Sequence, residues 1–407
     1  MYSFKSSRFG CRLYSSDEGI PLVMPCLFSH ALKKDRSIFV LKYSDDGIRR
    51  IKAAELVRLP ISISVVNVIG GELKTFLVWL TSYCRDKQAI SLETHHNLPV
   101  DILNYYINHE VIRARSKSLT MAENALMALR AYYNFLVFHG FTDRKEINIT
   151  HDSKAIAREN TKPRGVVKYY SPSLRGQIYS NAHSLRDECI LRAGGTTGVR
   201  AKENIGFLLS DFTVGQKKYQ GLLSLFQKLK LDPEQTEFEY WMQGKYTKSS
   251  RGSGGKSRML YIPRDTLLRF IDYYEKERPQ CEIDNFFVTD PSSAYLKAIS
   301  SATASAAFAK SRKKILLKQR EGLLPDYLEQ LDEKHSYHIL RHSFGTDHFY
   351  DAAKKNGMRV DDVTPTSQPY LLVAALLGHS ASGRGAPAAT KEYIRSCNLK
   401  ERLEAGI

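Results

Sequence analysis

Five short segments carry residue types suited to chemistry on a phosphodiester. In chain order they are Thr197-Gly198-Val199-Arg200-Ala201-Lys202-Glu203, the stretch from Gly255-Lys256 to Pro263, His338-Ile339-Leu340-Arg341-His342, Leu377-Gly378-His379 and Thr390-Lys391-Glu392-Tyr393. Arg200 and Arg341 are permanent cations whose planar forks match the non-bridging oxygens of one phosphate. His338 and Arg341 stand at i, i+3 in a helix-like run, so they share a face. His379, after a glycine, offers another donor. Lys256, beside a flexible turn, is suited to protonate a leaving oxygen as a general acid. Tyr393 supplies a phenol able to attack phosphorus and form a covalent ester. Its ordinary pKa is near ~10, so attack at neutral pH needs neighbouring cations and a proton acceptor. The set describes phosphoryl transfer by positioning and charge neutralisation. No metal-binding cluster of acids accompanies it, and neither metal nor cofactor is called for.

Something must hold these residues together. A hairpin is predicted with Phe238–Tyr246 as one arm, Ser249–Gly255 as a Ser/Gly-rich turn and Ser257–Ile262 as the return arm, ended by Pro263. It places Lys256 beside the turn, just before the return arm. Residues 169–407 read as one α+β domain with helices around that hairpin. Ser300–Arg320 is helical in composition and carries Lys310, Arg312, Lys313, Lys314 and Lys318 with no acid between them, a density suited to DNA. An ordinary solvated face explains the same run equally well. The small residues Ala302–Ala307 predict a closely packed helix, His342 and His348 read as helix and packing residues, and His335 as solvent-facing.

Upstream, Leu73, Phe76, Leu77, Leu80 and Tyr83 fall at helical spacing, and a second helix is expected over Val100–Val111. Thr120 and Glu123 form an S/T-x-x-E capping pattern before the stripe Leu126, Leu129, Tyr132, Tyr133 and Leu136, with Gly140 as the stop. These aromatics read as core. A helical domain therefore spans residues 71–148. Residues 149–168, polar and basic (Lys154, Arg158, Lys162, Arg164), read as a linker. Residues 1–70 form an extension of no assigned role, with strands expected at Ser37–Tyr43 and Ile61–Val68 around the turn Asp45-Asp46-Gly47.

The 407 residues carry 60 Lys+Arg against 43 Asp+Glu, a net charge of +17. That surplus points to a polyanionic partner, most often nucleic acid. A composition 43% hydrophobic and 25% charged is that of a folded globular chain and excludes simple disorder. The apolar run Leu59–Ile69 is short for a membrane span, so no membrane role is expected. The first 20 residues lack a signal-peptide pattern. Six scattered cysteines with no CxxC pair fit a reduced, cytoplasmic location, nucleoid-associated if the source is prokaryotic.

The ordered set Arg200, Lys256, His338-x-x-Arg341, Gly378-His379 and Tyr393 resembles the tyrosine recombinase (phage integrase) family. His338–Thr346 is close to that family's most recognisable stretch, and the resemblance covers about residues 71–400. It implies a mainly α fold: a helical, SAM-like core-binding domain and an α+β catalytic domain with a small β-hairpin. It implies that Arg200, His338, Arg341 and His379 surround the scissile phosphate. Lys256 would protonate the departing 5′ hydroxyl, Tyr393 would become joined to the 3′ phosphate, and Glu203 would brace Arg200. The partners implied are double-stranded DNA and three further copies in a tetramer that passes through a Holliday junction, with an accessory directionality factor in some systems. The expected function is site-specific recombination or integration for a mobile element. The rivals are a type IB topoisomerase and an inactive DNA-binding regulator on the same scaffold.

Three features depart from the family pattern. His379 and Tyr393 are separated by the Gly/Pro-containing loop Ala381–Ala389, which lengthens the tether of the nucleophile and leaves delivery in cis or in trans open. The long Arg200–Lys256 interval implies an insertion around 215–240, and Lys248 across the turn is the alternative general acid. Met358–Pro369 reads as an inserted surface loop. The tail Cys397–Ile407, with Leu399 and Leu403 at i, i+4, would by family habit dock on a neighbouring protomer.

Overall fold

The computed structural model describes residues 1–44, 53–86, 91–161, 169–247, 255–290, 295–323, 331, 335–379 and 386–405. The Asp45–Gly47 turn, Lys162, Arg164, Lys248 and most of the 381–389 loop fall outside them. The chain forms two compact units, one of residues 1–165 and one of residues 166–249 and 254–407. It is mainly helical, and its sheets are small antiparallel pairs.

The first unit contains β1 (Tyr2–Lys5), β2 (Arg12–Ser15), α1 (Val23–Asp35), β3 (Ser37–Ser44), β4 (Ala53–Pro60), α2 (Ile63–Asp86), α3 (Val100–Tyr105), α4 (Leu119–Phe138) and α5 (His151–Glu159). The strand expected at Ile61–Val68 is instead the start of α2. Val66, Ile69, Leu73, Phe76, Leu77 and Leu80 form one buried stripe at helical spacing, and the local alternation yields to it. By length and composition Ile63–Arg85 would suffice to cross a membrane; here its stripe packs on α4 within the core. That core also takes Tyr14, Phe28, Leu32 and Ile38, so residues 1–70 do not stand apart from the helices that follow.

The N-cap of α4 is Ser118, two positions before the Thr120 of the expected capping pattern, and the helix ends just before Gly140, which adopts φ 72°. α5 lies inside the stretch read as a linker. Thr150 Oγ1 caps it by accepting the Ser153 N–H, and Ala157 is buried against the helices.

The second unit runs α6 (Pro172–Ser180), α7 (Leu185–Thr196), β5 (Phe212–Val214), β6 (Lys217–Tyr219), α8 (Leu222–Leu231), β7 (Glu237–Met242), β8 (Arg258–Pro263), α9 (Arg264–Lys276), α10 (Ser301–Arg320), α11 (His338–Lys355), α12 (Gln368–Leu377) and α13 (Ala386–Ala405). The predicted hairpin is β7–β8, with Tyr240 opposite Leu260 and Met242 opposite Arg258. The insertion around 215–240 is the β5–β6 hairpin with α8. Tyr219 stacks on Trp241 at 4.9 Å, which seats that hairpin on β7.

One correction concerns the C-terminal third. Val360 and Val363 are buried in a core cluster with Phe349 and Tyr370, so the 358–369 segment is not merely a surface loop. The tail after Cys397 continues α13 on its own chain, with Cys397 fully buried.

Candidate active site

Glu203 is the centre of the site. α7, capped by Ser184, ends at Thr197, and Gly198 then turns the chain at φ 66°. A Cβ at Gly198 would lie 2.6 Å from the Phe344 ring, so only glycine fits. The turn sends Arg200 back over a short 3-10 segment, Glu203–Gly206. The Glu203 carboxylate, 0% exposed, accepts the Arg200 backbone N–H at 2.8 Å and the Arg200 guanidinium at 2.9 Å.

β8 delivers a second arginine to the same carboxylate. Arg258 sits in the inward register with Leu260 and Ile262, and its two terminal nitrogens meet the two Glu203 oxygens at 3.1 and 2.7 Å. Arg341, from α11, is the third. Its Nη1 is 3.7 Å from Glu203 Oε2 and donates to the Gly198 carbonyl, while its Nη2 donates to Leu377 O at 2.5 Å and to His379 Nε2 at 3.2 Å. Three guanidiniums and an imidazole from four separate sequence segments thus converge around one buried anion.

Helix ends set the remaining side chains. α12 closes at Gly378 in the left-handed region, and the His379 N–H returns to Ala374 O at 2.8 Å, which turns the imidazole toward Arg341. Tyr337 is buried at the start of α11. Its hydroxyl accepts from Asn204 Nδ2 at 2.9 Å, joining this helix to the Glu203 segment. His338 is exposed and meets His342 edge-on at 4.7 Å. His342 lies in turn 6.4 Å from the Tyr393 ring. Tyr393 stacks on Phe349 at 5.6 Å and is only 3% exposed.

The electrostatics follow from this packing. Burial opposes the Glu203 charge, but Arg258, with Arg341 and Arg200, outweighs it and holds the carboxyl down to about 2. Burial, then Arg200, pulls Arg341 down to about 9, which leaves it charged at neutral pH. Burial, then the cations of Arg341 and Arg200, pushes His379 down to about 3, so its imidazole is neutral. Burial raises the Tyr393 phenol well above its ordinary range, with Arg341 acting in the opposite sense. The cluster concentrates more positive charge than its one carboxylate balances. A phosphate diester bound there would be held by charge-assisted donors.

Arg200, Glu203, Arg341, His379 and Tyr393 are therefore brought together. Lys256 is exposed at the turn end of the hairpin, two positions before Arg258, and its carbonyl accepts from Thr247 Oγ1 at 3.1 Å. Lys248 lies outside the described residues. His335, expected in solvent, is half-buried with Nδ1 2.6 Å from Tyr170 Oη. The basic run of α10 divides. Lys310, Lys313, Lys314 and Lys318 are all exposed, but Lys314 also donates to Ala182 O at 3.4 Å and Lys318 to Asn181 Oδ1 at 2.6 Å, and half-buried Arg312 donates to His335 O. A groove of about 740 Å³ between β3 and α4 lies in the first unit and contains none of these residues.

Two contributors escape a reading of the sequence, Arg258 and Tyr337.

No family model matches the chain, and no curated protein matches it. Among solved structures it is similar to the XerH site-specific recombinase bound to its difH substrate, at 16% identity and a TM-score of 0.49, covering 83% of this chain and 79% of that one. It is similar to the XerA recombinase at 16% identity and a TM-score of 0.35, covering 84% and 93%. It is also similar to a lambda integrase fragment bound as a dimer to a core site, at 12% identity and a TM-score of 0.43, covering 83% and 90%.

Proposed function

We propose that this chain is a tyrosine-type site-specific DNA recombinase, serving the integration or excision of a mobile element. The reading rests on one observation above all. Arg200, Arg341 and His379 converge beside Tyr393 around a carboxylate, Glu203, that is too buried and too fully engaged to compete for a ligand. The five sequence segments contribute in the order that the resemblance requires.

In the proposed reaction the scissile phosphate occupies the cationic cluster. Tyr393 Oη attacks phosphorus and gives up its proton, for which His338 is the acceptor. The Tyr Oη–P bond forms and the bond from phosphorus to the 5′ oxygen breaks. That oxygen takes a proton from Lys256 Nζ. Arg200, Arg341 and His379 neutralise charge on the non-bridging oxygens. The phosphotyrosyl ester keeps the energy of the broken diester, so a 5′ hydroxyl from another strand can reverse the step without a nucleotide cofactor. Strand exchange in pairs, through a Holliday junction in a tetramer on double-stranded DNA, completes the reading, with a directionality factor as a further partner. The added elements of residues 1–70 and the insertions favour a mobile-element enzyme over a compact housekeeping resolvase.

The test works without a defined target sequence. Wild type and Tyr393→Phe are incubated with supercoiled plasmid and pooled genomic fragments in chelator, then denatured. Protein joined to DNA 3′ ends in wild type alone is expected, and sequencing the captured ends gives the site. An adduct in both would move the nucleophile to another residue. An adduct in neither would overturn the proposal.

A further inference from the structure

We propose that Arg258 is a positioning residue for strand cleavage: by clamping Glu203 it fixes the first residues of β8, and so carries Lys256 to the leaving oxygen. This rests on the recombinase reading and assigns a role within the same site.

Arg258 differs from Arg200, the exposed arginine of the cluster, and from Arg341, which is 2% exposed but gives its terminal nitrogens to backbone carbonyls and to His379 rather than to a bidentate grip on the carboxylate. The Arg258 side chain is 5% exposed, and both terminal nitrogens are spent on a carboxylate that is itself fully buried. It is therefore not placed to clamp a phosphate as Arg200, 23% exposed, is. Its aliphatic stem fills the space over Gly378, where an added Cβ would sit 3.3 Å from Arg258 Cδ. One side chain thus wedges between the Arg200–Glu203 turn and the Gly378–His379 turn.

The lysine is tied to that wedge by the backbone. Lys256 lies two positions before Arg258, at most roughly 7 Å along the chain. The intervening Ser257 Oγ accepts the Gly244 N–H at 2.9 Å, and the Lys256 carbonyl accepts from Thr247 Oγ1 at 3.1 Å. These bonds hold the two arms of the hairpin to each other. At the hairpin's turn end the Arg258–Glu203 fork ties the start of β8 to the cationic cluster, beside the packing of Met242 and Tyr246 over Gly206. The fork is bidentate, so it fixes direction as well as distance. A lysine in its place would keep the charge and lose the direction.

A positioning role for a general acid can be separated from a merely structural one by changing the leaving group. In a duplex whose bridging 5′ oxygen is replaced by sulfur, the Tyr Oη–P bond still forms, the P–S bond breaks, and a thiolate departs. A thiol has a pKa near ~8.5, so it leaves without a proton donor. Lys256 is then dispensable, while the arginines on the non-bridging oxygens are not.

The experiment uses duplexes carrying the site recovered from Tyr393 adducts, one all-oxygen and one with the bridging sulfur. Single-turnover adduct formation is measured for wild type, Lys256→Ala and Arg258→Lys. Arg258→Lys is expected to lose ~100-fold or more on the oxygen duplex, the lower end of what a general acid supplies, and to return to within about threefold of wild type on sulfur. Lys256→Ala should show the same pattern. Arg258→Gln, which keeps one donor, serves if the lysine variant does not fold. Equal loss on both duplexes would overturn the proposal, since Arg258 would then act on the phosphate or on the integrity of the whole site. No loss on the oxygen duplex would overturn it too. Wild type forming no adduct on either duplex, or forming it through a residue other than Tyr393, would instead overturn the recombinase reading.

Discussion

Lys400 places its ammonium 2.7 Å from Asp347, binding the helix that carries Tyr393 to the helix that carries Arg341. Asp347 also pairs with Arg175 at 2.5 Å and accepts from Tyr169 Oη at 3.0 Å. The three charged side chains are 10–20% exposed, so each is partly desolvated and each depends on the others. Lys400→Ala leaves one cation for that carboxylate and removes the tie between α13 and α11. It should cost about 1–3 kcal/mol in denaturant unfolding, less than a fully buried pair because Arg175 remains. Tyr393 should also become more reactive toward tetranitromethane. Unchanged stability together with unchanged nitration would show that α13 is held by other contacts.

A second contact restrains the same tyrosine. A Cβ at Gly345 would fall 2.8 Å from Tyr393 Cε1, 2.9 Å from its hydroxyl and 3.0 Å from Leu377 Cδ1. Gly345→Ala must therefore displace the ring. It is expected to cost about 1–3 kcal/mol as overpacking and to change the rate of adduct formation far more than DNA affinity, because the residue touches the nucleophile rather than the phosphate cluster. Equal changes in both, read by capture and by filter binding, would count against this seating.

Much of this arrangement is legible in residue types. The β7–β8 hairpin follows from alternation and a Ser/Gly turn, and Arg341 and His338 from helical spacing. The start of α2 does not, because Ile61–Val68 alternates locally while its buried stripe is set by α4, a partner distant in sequence. α5 escapes notice because it buries only Ser153 and Ala157 fully, with Ile156 half-buried against the core, too few apolar positions for a period to emerge. Arg258 is hidden among basic residues beside a turn. Its role depends on Glu203, fifty-five positions earlier, and no local pattern reports such a pairing.

Acid should destabilise the chain in two overlapping windows. The His379 imidazole is held to about 3 in the folded state and titrates near ~6.5 when unfolded. Between these values the unfolded chain binds the extra proton, so stability falls as pH drops below ~6.5. The Glu203 carboxyl is held to about 2 against an unfolded value near ~4.3. Its contribution is complete above ~4.3 and is lost as pH falls toward 2. His95, pushed by burial to about 4, and His348, shifted down by burial, add to the first window. The decisive quantity is thus the difference between wild type and His379→Asn in urea midpoints from pH 7 to 4.5. That difference should narrow with acid; a constant offset would place the His379 titration outside this window.

The basic face of α10 makes the last expectation, because its charges are of two kinds. All four lysines are exposed, but Lys314 and Lys318 also reach the backbone of Ala182 and the side chain of Asn181. If Lys310 and Lys313 meet phosphates, Lys310→Ala with Lys313→Ala should flatten the dependence of log K on log salt by about 1.8, two released counterions at 0.9 each. The same double change should leave unfolding within about 0.5 kcal/mol of wild type, as for ordinary surface positions. Lys318→Ala should do the reverse. It leaves Asn181, which is 5% exposed, without its charged donor, and so lowers stability by about 1 kcal/mol with a smaller change in salt slope. Titrations of both variants on one duplex at several salt concentrations, with melting curves beside them, separate the two roles. A salt slope unchanged in the Lys310/Lys313 variant would remove this helix from the DNA interface and leave the net charge of +17 to act through other surfaces.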